Sequence, residues 1–356
     1  MSMISEKLKN VSKTSSSIGL AMKLISILIV FLLTHSTSAS QPTNKLISGA
    51  SKPKLSKLSA PLNNVKLQGS IINIADDFVL LYESTKEFPE KQREAYVAEA
   101  LSKIFPDYYS DQRIKKINPK DSLSSRVGSV VKNFKSIETN YKQKEKALSK
   151  GLNQSLTSFY KTFPDFEIDR PIYIMHSLGE FNGATRKYAG KYYLLFGVDL
   201  MAKLHKWEDD NPFFHHELFH VYHEKKFDCE KPLWCGVWTE GLATYVSEVL
   251  NPSTNFDNMM LNFPENMAND TQQQLKAALS DLKLKFNSTE SKDYSAYFNF
   301  RKDETGLPVR RGYYLGYLLA KSLGKQFDVN TLATMKENQV KALLEKEIDK
   351  LITESR

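Results

Sequence analysis

Cysteine is scarce in this chain. There are two in 356 residues, Cys229 and Cys235, so a framework of several disulfides is excluded. A pair six positions apart in an exported protein is expected to form one disulfide closing a small loop. Long hydrophobic runs are also lacking. The one candidate, Leu24 to Leu33, is too short for a spanning helix, which needs roughly 20 residues. A stripe of Lys and Arg interleaved with aromatics is absent, and no nucleic-acid motif occurs. The net charge of +8 therefore points to solubility or loose attraction to anionic surfaces rather than to nucleic acid. No internal repeat stands out.

Met22-Lys23, the apolar run, and the small-residue stretch ending Ser-Ala-Ser at Ser40 have the order of a secretory signal peptide. Residues 1–40 are read as that signal with an N-terminal extension, the rival being a signal anchor that stays in place. Ser40 to Leu67, rich in Ser, Lys, Pro and Asn, reads as a flexible linker over 41–67. The expected product is secreted or periplasmic, with no integral membrane segment after signal cleavage.

Apolar residues at helical spacing run from Ser70 to about Ile104 and again from Val127 to Phe159, with Asp121 to Ser125 supplying caps. Residues 68–164 are thus expected to form a helical N-terminal region. Ile172 to His176 and Lys191 to Phe196 switch to strand-like aromatic and β-branched runs. A small sheet followed by helices makes 165–356 the expected second domain, and the fold class α+β.

The chemistry concentrates between Phe213 and Tyr245. Asp209-Asp210-Asn211-Pro212 starts a helix carrying His216-Glu217-Leu218-Phe219-His220. Positions i and i+4 share one helix face, so His216 and His220 can ligate one ion, and Glu217 can reach a water bound to it. Glu240, expected in the first turn of a helix over Thr239 to Leu250, is the natural third ligand. Three ligands leave an open position for water, as a catalytic Zn2+ requires. A rival structural zinc site would use His220, His223, Cys229 and Cys235. The competing bland reading is a helix of surface histidines.

The motif, with nineteen intervening residues between His220 and Glu240, resembles the gluzincin zinc metallopeptidases, the clan typified by thermolysin. Trp238-Thr239-Glu240-Gly241-Leu242-Ala243-Thr244-Tyr245 is similar to the second motif of M1-type aminopeptidases. The wider layout is similar to poorly characterised bacterial predicted zinc proteases: Phe181-Asn182-Gly183 between two strands, then the two zinc motifs, then Tyr313-Tyr314-Leu315-Gly316-Tyr317. The resemblance implies a zincin-like core with one catalytic zinc held by His216, His220 and Glu240. Glu217 would be the general base in hydrolysis of a peptide or protein substrate through a zinc-bound water. For the oxyanion donor, Tyr313, Tyr314, Arg310 and His176 are candidates, and Tyr314 is favoured. Asn182 and Arg310 are candidates for binding substrate; Arg310-Arg311 can grip a carboxylate or be a solvated pair. Where thermolysin-like enzymes place an acidic residue to orient a histidine, this chain has Thr244, so another partner is expected to fix the imidazole. The alternative function is a non-catalytic peptide-binding or structural-zinc interaction protein.

Overall fold

The computed structural model describes residues 69–206 and 209–355; the expected signal peptide and linker lie outside them. Among the described residues the protein is α+β, mostly helical with one four-stranded mixed sheet. No described helix is long and apolar enough to cross a membrane. The chain divides into two compact units that interleave along the sequence. One comprises described residues up to Ser149 together with Asp169–Lys206. The other comprises Lys150–Ile168 and the described residues from Asp209 onward. The units therefore do not part at 164/165.

The first unit is built on the sheet. Its strands are β1 (Ile71–Asn73), β2 (Ile172–Met175), β3 (Gly183–Tyr188) and β4 (Lys191–Gly197), in the order β1-β2-β4-β3. β1 and β4 pair parallel to β2, while β3 runs antiparallel to β4. β1 corrects the expectation of a helix from Ser70. Ile71 and Ile72 are β-branched, and their partners, Ile172 and Tyr173, lie far along the chain. Helices α1 (Ala75–Ser84), α2 (Glu90–Ile104), α3 (Asp111–Ile117), α4 (Leu123–Asn133) and α6 (Val198–Leu204) complete the unit with the start of α5 (Glu138–Thr162). Ser122 caps α4 by accepting from the Ser125 amide at 3.1 Å. The long amphipathic stretch is broken between α4 and α5 by a 3-10 turn at Phe134–Ser136.

Phe78, Phe134, Tyr141 and His176 form an aromatic core; the His176 ring lies 3.9 Å from that of Phe78. The turn after β2 is fixed by charge. Asp199 accepts from the Ser177 and Gly179 amides at 2.6 and 2.7 Å. Glu180 receives Arg113 through two bonds of 2.8 and 2.9 Å, and Arg126 at 2.6 Å. A forked guanidinium–carboxylate pair in a largely buried setting gives geometric specificity as well as energy.

The second unit is helical, comprising the end of α5, α7 (Asn211–His223), α8 (Leu233–Leu250), α9 (Met267–Gln273), α10 (Leu275–Lys285), α11 (Ser291–Phe298), α12 (Arg311–Leu323), α13 (Val329–Thr334) and α14 (Glu337–Glu354). α8 begins six residues before the expected Thr239, so Glu240 sits about two turns inside it rather than in its first turn. Asn251-Pro252 ends it, since the residue before proline disfavours the helical region. α8 and α12 touch at glycine: a methyl on Gly241 would fall 2.1 Å from the Gly316 carbonyl carbon, and one on Gly316 would fall 2.1 Å from the Val237 oxygen. Only two residues without side chains permit this approach.

Candidate metal centre

α7 is held by its buried side before any ligand chemistry enters. Phe213, Phe214, Leu218, Phe219 and Val221 are all buried. His215 points to the same interior. Its Nε2 lies 2.7 Å from the Ser158 hydroxyl and 3.1 Å from the Ser155 carbonyl, and its Nδ1 lies 2.8 Å from the Asn251 amide nitrogen. The Asn251 amide donates, so Nδ1 accepts and Nε2–H serves α5. Burial lowers the His215 pKa to about 4, so this is a neutral structural hub. Its three partners, two on α5 and one at the end of α8, fix the rotation of α7 about its axis.

That rotation leaves His216 and His220 on the opposite side, facing α8. Their Nε2 atoms are 3.0 Å apart, and each is 3.3 Å from Glu240 Oε2. Three donors about 2.0–2.2 Å from a tetrahedral ion stand roughly 3.3 Å apart. The triangle thus has the dimensions of three corners of a zinc tetrahedron. Among the described residues this trio is the one group of His, Cys, Asp and Glu able to hold a metal ion. Its electrostatics also favour a cation. Burial opposes charge on His220, yet the Glu240 charge and hydrogen bond outweigh it and lift its pKa to about 9. For Glu240, burial acts against ionisation, and His220 and His216 overcome it, holding the carboxyl well below the usual range.

Thr244, set aside on sequence for lacking a carboxylate, approaches the first ligand. Its hydroxyl donates to the Glu240 carbonyl at 2.8 Å and lies 3.4 Å from His216 Nδ1. With its proton committed, the oxygen can only accept. It therefore favours the tautomer with hydrogen on Nδ1, leaving the Nε2 lone pair directed at the cluster. The sequence signal was position, four residues after Glu240 on one helix face.

A cleft opens over the cluster, lined by Phe213, His216, Glu217, His220, Glu240, Met259, Met260, Arg310 and Tyr313 among others. Its free volume of ≈ 20 Å³ is room for a water or an ion. Glu217 is buried there, 4 % exposed. Of the paired tyrosines, Tyr313 and not Tyr314 lines the cleft. Tyr314 turns away to donate to Gln272 Oε1 at 2.8 Å, because successive helical residues point about 100° apart. Burial, then the charge of Glu240, push the Tyr313 hydroxyl well above 10 against the opposing effect of Arg310. It is a neutral phenol able to donate.

Other sequence candidates fall elsewhere. Asn182 belongs to the sheet unit, is fully buried, and is committed at both ends of its amide: 3.1 Å to His205 Nε2 and 3.0 Å from the Gly183 amide. It is not a free substrate group. His176 is packed in the aromatic core of that unit. His223, a ligand in the rival structural zinc site, is buried, stacked between Phe219 and Phe227. Arg310 and Arg311 are not a solvated pair; both are buried, at 1 % and 0 % exposure. Cys229 and Cys235 are bonded to each other, tying the loop before α8 to its first turn.

Compared with protein-family models, curated proteins and solved structures, the chain matches none of them.

Proposed function

We propose that this protein is a zinc-dependent peptidase with a zincin-like core, exported to an oxidising compartment. The observation that carries the reading is the donor triangle of His216, His220 and Glu240 with Glu217 lining the same small cleft. Two imidazoles and a carboxylate suit zinc among common ions, and the triangle's edges suit a tetrahedral site. Zinc held there would supply a Lewis acid and lower the pKa of a water in its open position.

The chain's own groups divide the remaining work. Glu217 accepts a proton from water in the cleft as it attacks the peptide carbonyl, then returns it to the leaving nitrogen. Tyr313, kept neutral by burial, donates to the carbonyl oxygen as negative charge develops on it. Thr244 and His215 hold the first ligand's tautomer and the helix rotation. The Cys229–Cys235 bond favours this reading over a structural knot, because sulfurs bonded to each other are not thiolate ligands. It also agrees with export.

The test measures bound zinc and digestion of fluorescein-labelled casein for the wild type, Glu217→Gln and Cys235→Ser. The expected result is about one zinc per chain in all three, with digestion reduced by 10² or more in Glu217→Gln alone. Full digestion by Glu217→Gln sinks the mechanism. Zinc loss in a folded Cys235→Ser, with zinc kept when Glu240 is replaced, transfers the reading to the structural knot.

A further inference from the structure

Arg310 and Arg311 are adjacent and both buried, yet the fold treats them differently. Arg311 is neutralised: its Nη2 meets Asp281 at 2.8 Å and Asp303 at 2.6 Å. Arg310 has no carboxylate in ion-pair reach among the described residues. Its Nε and Nη1 are held by the carbonyls of Phe263 and Phe298 at 2.9 and 3.3 Å. The faces of Tyr313, Phe300 and Phe263 surround it at 4.4, 5.3 and 5.7 Å. Carbonyls and ring faces orient a guanidinium without cancelling its charge, and a buried charge is ordinarily paired.

Its backbone is also unusual. Arg310 stands immediately before α12 at φ 63°, ψ 10°, a left-handed conformation that suits glycine better than any residue with a side chain. The strained backbone therefore points to a use for the arginine side chain. Arg310 is among the residues lining the metal cleft, with Phe213, Met259 and Met260.

We infer that Arg310 is the docking group for a carboxylate of the substrate, and that the peptides taken are those carrying a carboxylate next to an apolar residue at the cleaved end. This rests on the peptidase reading. With a divalent ion in place, Glu217 and Glu240 balance its charge and Arg310 is left over, so the loaded cleft accepts one further negative charge. A guanidinium presents paired donors that match a carboxylate, and Phe213, Met259 and Met260 give the cleft an apolar lining beside it. The carboxylate has two possible sources, the chain terminus or an acidic side chain.

The experiment measures binding, so that it stands apart from hydrolysis. Zinc-loaded Glu217→Gln protein is titrated by calorimetry with three N-acetylated tripeptides: Ala-Gly-Phe with a free C-terminus, the same peptide amidated, and amidated Ala-Gly-Asp. Free Ala-Gly-Phe is expected to bind at least about tenfold tighter than its amide, the scale of a charge-assisted pair. Preference for the amidated aspartate peptide instead assigns the side-chain source. Equal binding of all three overturns the inference without any variant of Arg310. Adding Arg310→Gln must then erase the preference while the bound zinc is kept. If it persists in that folded variant, the carboxylate sits on another group and the inference fails. Should Arg310→Gln not fold, Arg310→Lys decides: the single ammonium is expected to lose most of the preference, and full retention counts against Arg310. Casein digestion by the wild type with no carboxylate preference defeats this inference alone; carboxylate preference with no wild-type hydrolysis of either casein or free N-acetyl-Ala-Gly-Phe defeats the peptidase reading alone.

Discussion

Replacing Gly241 with alanine tests how the cleft is assembled, independently of any chemistry assigned to it. The added methyl would lie 2.1 Å from the carbonyl carbon of Gly316, 2.4 Å from its Cα and 2.5 Å from its oxygen, whereas ordinary contact begins at 3.4 Å. The shortfall at the closest atom, 3.4 minus 2.1, is 1.3 Å. All three atoms are backbone, so no side chain can swing away, and α12 must retreat from α8. Overpacking of this kind costs about 1–3 kcal/mol or more, and backbone on both sides places this case at the upper end. Alanine returns up to about 1 kcal/mol through its better helix propensity. The net expectation is a loss of about 2 kcal/mol. For a folded region of this size that lowers Tm by about 4–8 °C, read by calorimetry on the metal-loaded protein. The loss should fall unevenly on the site. All three donors lie on α7 and α8, so zinc stays bound, while Tyr313 and Arg310 move off with α12 and casein digestion drops. An unchanged or raised Tm refutes the close crossing, and a lower Tm with full digestion refutes the dependence of the cleft on it.

Three more expectations follow from contacts described above. Thr244→Val keeps the shape but removes the acceptor near His216 Nδ1; zinc affinity, measured by chelator competition, should fall about 10–100-fold. Glu180→Ala leaves Arg113 and Arg126 without their shared carboxylate and should lower stability in urea by about 3 kcal/mol. His223 has its pKa lowered to about 3, first by burial and then by His220. A group depressed below its unfolded value near 6.5 contributes stability that is complete above that value and lost as pH falls toward the folded value. Unfolding free energy should therefore drop by on the order of 2–3 kcal/mol between pH 6.5 and pH 4 on this account, and His223→Phe should flatten that part of the profile.

What could be read from the sequence was what is local. The spacing of His216 and His220 is one helical turn, and Pro212 marks where that helix begins, so the donor pair needed no tertiary information. Glu240 was legible through its motif, but its depth in α8 was not, because the first turn at Leu233 to Val237 follows a disulfide-tied loop instead of an ordinary cap. The choice between Tyr313 and Tyr314 was out of reach: it depends on the rotation of α12, set by contact between Gly241 and Gly316. Both glycines stood in the quoted motifs, and a pair of them on two apolar helices was the available sign of a close crossing. β1 was missed for a similar reason. Three residues of strand have no periodicity of their own, and their apolar character belongs equally to a buried helix.

Strand β1 also bears on how the protein comes into being. Ile71 pairs with Ile172, so a growing chain presents this strand about a hundred residues before its neighbour exists. At roughly 5–20 residues per second, the wait is on the order of 5–20 s. Throughout that interval α1 to α4 have no completed sheet to close against. The later unit has the reverse problem, because residues 150–168 are delivered before the partners they pack with. A cut at residue 164 would strand β1 in one fragment and β2 to β4 in the other, and would divide both units at once. The two halves of the chain are therefore expected to be soluble and folded only when made together, as one continuous polypeptide or as fragments allowed to find each other.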